Sequence, residues 1–211
     1  MSWITLIADL HGRLPSVRPD SYLLLLAGDI APDKNQRSWL AGPFHAWLGS
    51  LPCPVVAVLG NHDKWLAENP MSLPWTLLRH GESCRAAGLT IWGNGIVLND
   101  RHPDADELAI EAGLAAMPER TDVLLSHNPP AGILCHKSTA NHLGSIALAH
   151  AVWKRRPRLC VFGHVHESRG HCRRFATYCV NATLGAGCDR SGQPIPAPFT
   201  PWGLADNSWR T

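Results

Sequence analysis

The sequence lacks cysteine pairs, long apolar runs and a strong excess of charge of one sign. None of its seven cysteines forms a C-x-x-C pair, so we interpret them as reduced packing residues, not as a disulfide framework or a zinc ribbon. The longest apolar runs, 22–27 and 55–59, are far shorter than the roughly 20 residues of a membrane-spanning helix. A net charge of +2 gives no strong nucleic-acid-binding signature. No signal-peptide pattern opens the chain, and we expect a cytoplasmic protein without a membrane partner.

The 211 residues, 45% of them hydrophobic, suffice for one globular domain over residues 1–211. Continuous apolar segments of strand length predict a core sheet from 3–8, 22–27, 55–59, 122–125 and 159–162. Helical spacing predicts helices over 36–48, 104–117 and 145–155, and further strands are expected at 89–92 and 176–180. The sequence therefore indicates an α/β fold in which two sheets pack as a sandwich with helices outside.

From about residue 185 the chain becomes rich in glycine and proline. Because these residues favour turns over regular elements, we expect this C-terminal tail to wrap around the domain as irregular structure. Trp202 and Trp209 are the candidate anchors of the tail.

Five short polar signatures follow apolar runs along the chain. In order, they are Asp9-Leu10-His11, Gly28-Asp29, Gly60-Asn61-His62-Asp63, Ser126-His127 and Gly163-His164-Val165-His166. A strand ends where its apolar run ends, and open α/β folds build their sites just past the carboxyl ends of strands. We therefore expect these separate loops to form one cluster, which is the layout of a two-metal hydrolase.

The early signatures suit divalent ions. Asp9 and His11 lie two residues apart, so on a turn both can face one ion. The two carboxylate oxygens of Asp29 can bridge two ions about 4 Å apart, the separation used in two-metal phosphoryl chemistry. Gly28 before it fits a place where the backbone passes close to the cluster, because glycine has no Cβ.

The later signatures complete the predicted ligand set. Asn61 offers a neutral oxygen, His127 and His164 offer imidazoles, and His166 can return toward the first ion. Oxygen and nitrogen donors without thiolate favour manganese, iron or zinc over calcium. We expect two divalent transition-metal ions, with manganese as the first choice. Any one of these histidines alone would be an ordinary surface or core residue, so the joint occurrence carries the prediction.

His62 is the candidate for a free imidazole that faces the substrate. It stands between Asn61, a predicted ligand, and Asp63, whose carboxylate can orient the imidazole. A protonated His62 would act as a general acid on the leaving-group oxygen. The alternative is a clamp that stabilises phosphoryl charge without proton transfer.

The five signatures resemble the pattern of the calcineurin-like metallophosphoesterase superfamily, D-x-H, GD, GNH(D/E), H and GHxH in this order. All five blocks occur here, over residues 9–166. The resemblance implies a four-layer sandwich of two mixed β-sheets flanked by helices, and attack on phosphorus by a hydroxide that bridges the ions. It also implies that Asp9, His11, Asp29 and His166 hold one metal, and that Asp29, Asn61, His127 and His164 hold the other.

Three segments are similar to the MPPED-type branch of this superfamily, small class III phosphodiesterases: 126–134, 156–167 and 178–182. The branch implies that Asn181 lies near the substrate phosphate, with contact and no contact as equal alternatives. We also expect Asn61 and His62 to face the substrate. Asn128 departs from the glycine of the branch's T-H-G-P-P block. The stretch 92–100 is also shorter than the branch's Trp/Pro-rich loop.

We therefore predict a phosphodiesterase that hydrolyses nucleotide-like or small phosphodiesters. The alternative is a phosphomonoesterase or protein phosphatase that uses the same two metals. A non-catalytic scaffold of this fold would need degraded ligands, and none is degraded. The oligomeric state is left open.

Three other patterns have ordinary explanations. Arg79-His80-Gly81-Glu82 spells the R-H-G motif of histidine phosphatases, but it follows a Leu-rich, predicted helical stretch and not a first strand. The basic cluster of 154–156 with Arg158 is interpreted as a solvated helix end, with local affinity for nucleic acid as the alternative. Core packing and surface capping account for most of the nine tryptophans.

Overall fold

A computed structural model of the chain describes residues 3–98, 103–136, 143–184 and 202–205. In chain order the strands are β1 (Trp3–Ile7), β2 (Ser21–Ala27), β3 (Val55–Val58), β4 (Thr76–Leu77), β5 (Ser83–Ala86), β6 (Leu89–Asn94), β7 (Val123–Ser126), β8 (Leu159–Phe162), β9 (Gly170–Arg174), β10 (Thr177–Asn181) and β11 (Trp202–Ala205). The helices are α1 (Gln36–Trp39), α2 (His45–Gly49), α3 (Lys64–Glu68), α4 (Pro103–Leu114) and α5 (Ile146–Arg155).

The strands form two mixed sheets. The first has the order β11-β1-β2-β3-β4, in which β1 to β4 are parallel and β11 is antiparallel to β1. The second has the order β5-β6-β7-β8-β10-β9, with β5 and β9 as antiparallel edges of a parallel centre. The carboxyl ends of the parallel strands in each sheet therefore share one edge.

Alternate side chains of the central strands enter different cores. In β2, Leu23 and Leu25 join a core that contains residues of both sheets, whereas Leu24 packs with the residues of the helices α1 to α3. In β8, Phe162 packs with residues of α4 and α5. Because both faces of each sheet are covered at its centre, the central strands β2, β3 and β8 are mostly apolar along their length, whereas the edge strands β5 and β9 are more polar. The result is a helix, sheet, sheet, helix sandwich, which confirms the predicted fold class.

The five apolar strands do not form one core sheet, contrary to the expectation. The first three, β1 to β3, belong to the first sheet, and β7 and β8 belong to the second. An apolar run reports that both faces of a strand are buried, and this holds equally in both sheets. The run therefore carries no information about which strand lies beside it.

The predicted helix over 36–48 is interrupted. A π-helical turn, Leu40–Phe44, separates α1 from α2 and contains Pro43, whose ring nitrogen cannot donate a hydrogen bond. The helix predicted over 104–117 is the α4 of the structure, which ends at Leu114. The third helix, α5, begins after Ser145, whose hydroxyl accepts a hydrogen bond from the N–H of Leu148.

Part of the C-terminal tail is a strand and not irregular structure. In β11, Leu204 pairs with Ile4 and is buried. An unpaired β1 would expose a row of backbone N–H and C=O groups, and β11 covers this edge. Trp209 and the rest of the tail lie outside the described residues. Within the part that the structure describes, no helix is long and apolar enough to cross a membrane.

Candidate metal centre

The predicted ligands lie where parallel strands of both sheets end. Asp9 and Asp29 each come two residues after a strand, and His127 directly follows β7. The two sheets meet at this edge, because Ala8 forms a parallel bridge with Thr183 beyond the end of β10. We call the edge the ligand rim and define it by Asp9, His11, Asp29, Asn61, His127, His164 and His166.

One group of donors at the ligand rim comprises Asp9, His11 and His166. One donor atom of each lies within 4.8 Å of the other two. Nε2 of His166 is 3.0 Å from Oδ1 of Asp9, and Nε2 of His11 is 4.0 Å from the same oxygen. Asp9 is fully buried, and its carboxylate also accepts the backbone N–H of His164. The group therefore combines a fixed carboxylate with two partly exposed imidazoles.

A second group surrounds His127. Its Nδ1 donates to the carbonyl oxygen of Ala27 at 2.8 Å, which turns Nε2 toward the rim. Nε2 lies 3.3 Å from Oδ2 of Asp29 and 3.1 Å from Oδ1 of Asn61. The ring of His164 is 5.0 Å from the His127 ring, between centroids. The donor atoms of His127, Asp29 and Asn61 therefore lie close together, and the ring of His164 lies beside them.

Asp29 connects the two groups. Its Oδ2 is 3.3 Å from Nε2 of His127 and 3.9 Å from Nε2 of His11. The other oxygen, Oδ1, accepts the backbone N–H of His62 at 2.8 Å. The carboxylate is thus held in place while it faces a donor from each group.

Two glycines allow the rim loops to approach this closely. At Gly28, which has a φ of +85°, a Cβ would lie 2.5 Å from Nδ1 of His127. At Gly60, a Cβ would overlap the carboxylate and the backbone nitrogen of Asp29. The glycines of these signatures therefore follow from the packing of the ligand loops.

The backbone is strained at four of the predicted ligands. Asp9, His11, Asp29 and His164 have φ values of 58°, 45°, 52° and 68°, in the left-handed region that side chains with a Cβ rarely adopt. Each such residue costs on the order of 1–3 kcal/mol and persists only where its surroundings hold it. Nine non-glycine residues in the described part of the chain have a positive φ, and four of them are these predicted ligands. Strained backbone of this kind is found at many functional sites.

The charges of the rim groups depend on one another. Burial disfavours the charged form of His127, but Asp29 and Asp9 outweigh it and raise the pKa of His127 to about 9. Burial likewise opposes ionisation of Asp29, yet the contact with His127 holds the pKa of Asp29 below its ordinary value. Burial and the nearby His127 lower the pKa of His164 to about 4. Without an ion, the carboxylates of the rim are ionised and His164 is neutral, but His127 carries a proton at neutral pH. A metal ion at His127 would therefore have to displace this proton on binding.

The residues at the rim fit two divalent transition-metal ions. Carboxylate and amide oxygens are mixed with imidazole nitrogens, and no thiolate lies among them. A side chain at Gly60 would overlap the carboxylate of Asp29, so a glycine at this position lets the carboxylate occupy its place at the rim.

The structure gives His62 a different partner from the one expected. Its imidazole is 43% exposed, and Nδ1 lies 3.0 Å from Oδ1 of Asp33. The partner of the imidazole is therefore Asp33 and not the expected Asp63. Among the described residues Nε2 has no hydrogen bond. The ring packs edge-on against His11, with centroids 4.9 Å apart. His62 therefore faces outward beside the rim, and Asp33 is a site residue that sequence reasoning missed.

Asp63 holds the loops and does not contact the imidazole of His62. It is fully buried, and its carboxylate accepts the backbone N–H groups of Gly60, Ile30 and Ala31 at 2.9 Å each. Burial raises the pKa of Asp63 to about 6, against the lowering effect of the N–H donors. The expected contact between Asp63 and the imidazole of His62 is therefore wrong, and the carboxylate of Asp63 instead joins the GNHD loop to the Gly28-Asp29 loop.

Asn181, predicted as a substrate contact, is buried and occupied. Its side-chain amide donates to the carbonyl oxygen of Val165 at 2.8 Å and its oxygen accepts the N–H of Thr183. The residue therefore holds the loop that carries His164 and His166.

His80, the histidine of the R-H-G sequence, is connected to the ligand rim through hydrogen bonds. Nδ1 of His80 is 2.8 Å from Oδ1 of Asn94, and its Nε2 is 2.9 Å from the carbonyl oxygen of Ala109 in α4. The Asn94 amide in turn donates to the hydroxyl of Ser126, next to His127. The histidine was visible in the sequence, but its partners are 14 and 29 residues away.

The chain matches a known family of proteins. A family model described as calcineurin-like phosphoesterase matches residues 2–168, and the chain belongs to this family. The resemblance inferred from the sequence is thereby confirmed. The family is dependent on two metal ions, and the ligand rim contains candidate groups for them.

Individual relatives differ in their names. Metallophosphoesterase domain-containing protein 1 of Homo sapiens is 27% identical over an alignment that covers 92% of this chain and 68% of the relative. A Synechococcus protein named "Probable cyclic nucleotide phosphodiesterase" is 28% identical over an alignment that covers 97% of this chain and 80% of the relative. "Probable rhamnogalacturonate lyase C" of Emericella nidulans is 28% identical over 79% of this chain, but the match spans only 17% of that protein.

A solved structure shares the fold. The protein TT1561 of Thermus thermophilus has a TM-score of 0.57 and 17% identity, and the match covers 86% of this chain and 89% of that one.

Proposed function

We propose that this chain is a two-metal phosphodiesterase that hydrolyses nucleotide-like or other small phosphodiesters. The observation that carries the proposal is the place of the Asp29 carboxylate between His127, at 3.3 Å, and His11, at 3.9 Å. A shared carboxylate of this kind is what two ions in one phosphoryl-transfer site require.

The proposed ligand sets are those of the family pattern. One ion would be held by Asp9, His11, Asp29 and His166, and the other by Asp29, Asn61, His127 and His164. We propose manganese as the ion, with iron or zinc as the alternatives, because the donors mix oxygen and imidazole. When bound, the ions supply Lewis-acid stabilisation of phosphoryl charge and lower the pKa of bound water.

His62 is proposed as the general acid. Its N–H donates to Asp29 and its carbonyl oxygen accepts the side-chain amide of Gln36 at 2.9 Å, so the backbone is fixed on both sides. With Nδ1 directed at Asp33, Nε2 is the atom that can give a proton to the departing oxygen. The exposure of the imidazole supports this role, because a substrate can reach it from solvent.

A comparison of a diester with a monoester tests the reaction class. Metal-reconstituted protein is expected to turn over bis(p-nitrophenyl) phosphate with a kcat/KM about tenfold or more above that for p-nitrophenyl phosphate. The reverse order would assign a phosphomonoesterase or protein phosphatase. Failure of the metal-loaded protein to hydrolyse either ester would contradict the enzymatic proposal. Nucleoside cyclic monophosphates then test the nucleotide-like class.

Removal and return of metal tests the cofactor. Chelation is expected to abolish turnover, and added manganese is expected to restore it. Full turnover by protein that elemental analysis shows to be metal-free would contradict the two-metal mechanism.

A further inference from the structure

A cavity lined by charged side chains lies away from the ligand rim. It has a volume of about 480 Å³ and is lined by five arginines, which come from separate parts of the second sheet and its helices. They are Arg85, Arg120, Arg155, Arg156 and Arg158. The carboxylates of Glu119 and Asp122 also line it, so positive charge remains in excess. We call it the arginine cavity.

The arginine cavity and the ligand rim are at opposite ends of the same strands. Asp122 and Arg158 directly precede β7 and β8, whereas His127 directly follows β7. At about 3.3 Å per residue, the five-residue path from Asp122 to His127 spans roughly 17 Å. A ligand in the cavity would therefore not touch the metal ligands.

Local structure explains part of this basic cluster. Arg155 and Arg156 stand at the C-terminal end of α5, where positive charge stabilises the helix dipole. Nη1 of Arg158 is 3.6 Å from Oδ1 of Asp122. The positions of Arg155, Arg156 and Arg158 agree with the prediction that residues 154–158 form a solvated helix end.

The other two arginines have no such explanation. Arg85 belongs to β5, and Arg120 follows α4, so neither is a neighbour of α5 in sequence. Among the described residues, neither guanidinium has a hydrogen bond or an ion pair. Gathering like charges from three parts of the chain costs Coulomb energy unless an anion offsets it.

We propose that the arginine cavity is a second binding site, which takes a small ligand carrying a chain of two or more phosphate groups. The planar guanidinium donates paired N–H bonds to phosphate oxygens, and several forks around one cavity suit several phosphates. The volume falls within the roughly 300–1,000 Å³ of small-molecule sites. Asp122 is engaged, since Oδ2 accepts the N–H of Thr90 at 2.9 Å while the carboxylate contacts Arg158. A net charge of +2 on the whole chain does not favour an extended nucleic acid.

Inorganic tripolyphosphate is the probe. It is titrated calorimetrically into the manganese-loaded full chain at physiological salt, for wild type, for R85Q/R120Q and for the control R173Q/R174Q. The control removes the same charge from two exposed residues of β9 that do not line the cavity. Binding at the metal centre is common to all three proteins, so differences between them report the cavity.

We expect R85Q/R120Q to weaken one binding event on the order of tenfold or more and the control to leave it unchanged. Turnover of a diester by R85Q/R120Q should stay within about twofold of wild type, because the cavity is remote from the rim. Equal weakening in both variants would reveal diffuse charge attraction and overturn the proposal, as would unaltered binding in R85Q/R120Q.

A second arm replaces the probe with adenosine triphosphate. Weakening of its binding by R85Q/R120Q would show that the phosphate chain of a nucleotide is accepted. An effect confined to tripolyphosphate would restrict the site to inorganic chains. Both results support the cavity as a phosphate-chain site and differ only in the source of the chain.

Discussion

The ligand rim has a buried floor and an open face, and the two are held by different contacts. Asp29, Asp63 and His127 on the floor are at most 3% exposed, whereas the side chains of His62 and Asp33 on the face are 43% and 75% exposed. Floor residues are fixed by backbone groups, as when His127 donates to the carbonyl oxygen of Ala27. Face residues contact one another through side chains.

The adjacent residues His62 and Asp63 show the same difference between an exposed and a buried side chain. Among the described residues, the partly exposed imidazole of His62 has Asp33 as its one hydrogen-bond partner, while the carboxylate of Asp63 accepts three backbone N–H groups. Buried, multiply bonded groups set the shape of a site, and exposed groups with a free atom can meet a substrate. Substitutions on the floor should therefore change metal content or stability, and those on the face should change chemistry alone.

The largest effect is expected for Asp29→Ala on the floor. Because this carboxylate stands between both donor groups, its loss should remove both ions and lower kcat/KM by on the order of 10³-fold or more. Elemental analysis and diester turnover measure both quantities. Asp20→Ala, a carboxylate paired with Arg18 at the surface, is the matched control. Retention of both metals by Asp29→Ala would contradict the shared position.

His62→Ala on the face should keep both metals and lose on the order of 10²-fold in kcat/KM. The loss should be greatest for diesters with basic alkyl or nucleoside leaving groups and least for nitrophenyl esters, whose phenolate needs little protonation. The measurement is kcat/KM across diesters of rising leaving-group pKa, with the exposed His45→Ala as control. Parallel lines for wild type and His62→Ala would instead assign a phosphoryl clamp.

Asp63→Ala should act mainly on stability, although it is adjacent to His62. The substitution leaves the N–H groups of Gly60, Ile30 and Ala31 without their acceptor, at a cost of about 3 kcal/mol in the free energy of unfolding. Urea denaturation measures this cost, and the exposed Asp104→Ala should be near neutral. An unchanged unfolding midpoint for Asp63→Ala would contradict the structural role of its carboxylate.

The smallest effect is expected for Asp33→Asn. The amide keeps the shape of the side chain but removes its charge, and a contact between two exposed groups contributes little. We expect kcat/KM to fall about fivefold with unchanged metal content and the leaving-group dependence of wild type. A loss as large as that of His62→Ala would mean that the imidazole depends on Asp33 for its position.

The fold class and the residues of the ligand rim could be predicted from the sequence alone. Both follow from local patterns, because an apolar run defines a buried strand, and the polar residues just after it stand at the edge where parallel strands end. Asp9, Asp29 and His127 are brought together for this reason. The glycines that precede ligands could be predicted as well, since close approach to a cluster excludes a Cβ.

Which side chains contact one another at that edge could not be predicted from local sequence, because it depends on the tertiary packing. Asp33 reaches His62 from 29 positions away, Asn181 turns inward to Val165, and arginines from three parts of the chain line one cavity. Such contacts depend on how loops and sheets pack after the strands have paired. The division of the five apolar strands between two sheets has the same origin, because burial leaves the same pattern in either sheet. Neighbours in sequence share a backbone, but the direction in which each side chain points is set by partners that local spacing does not encode.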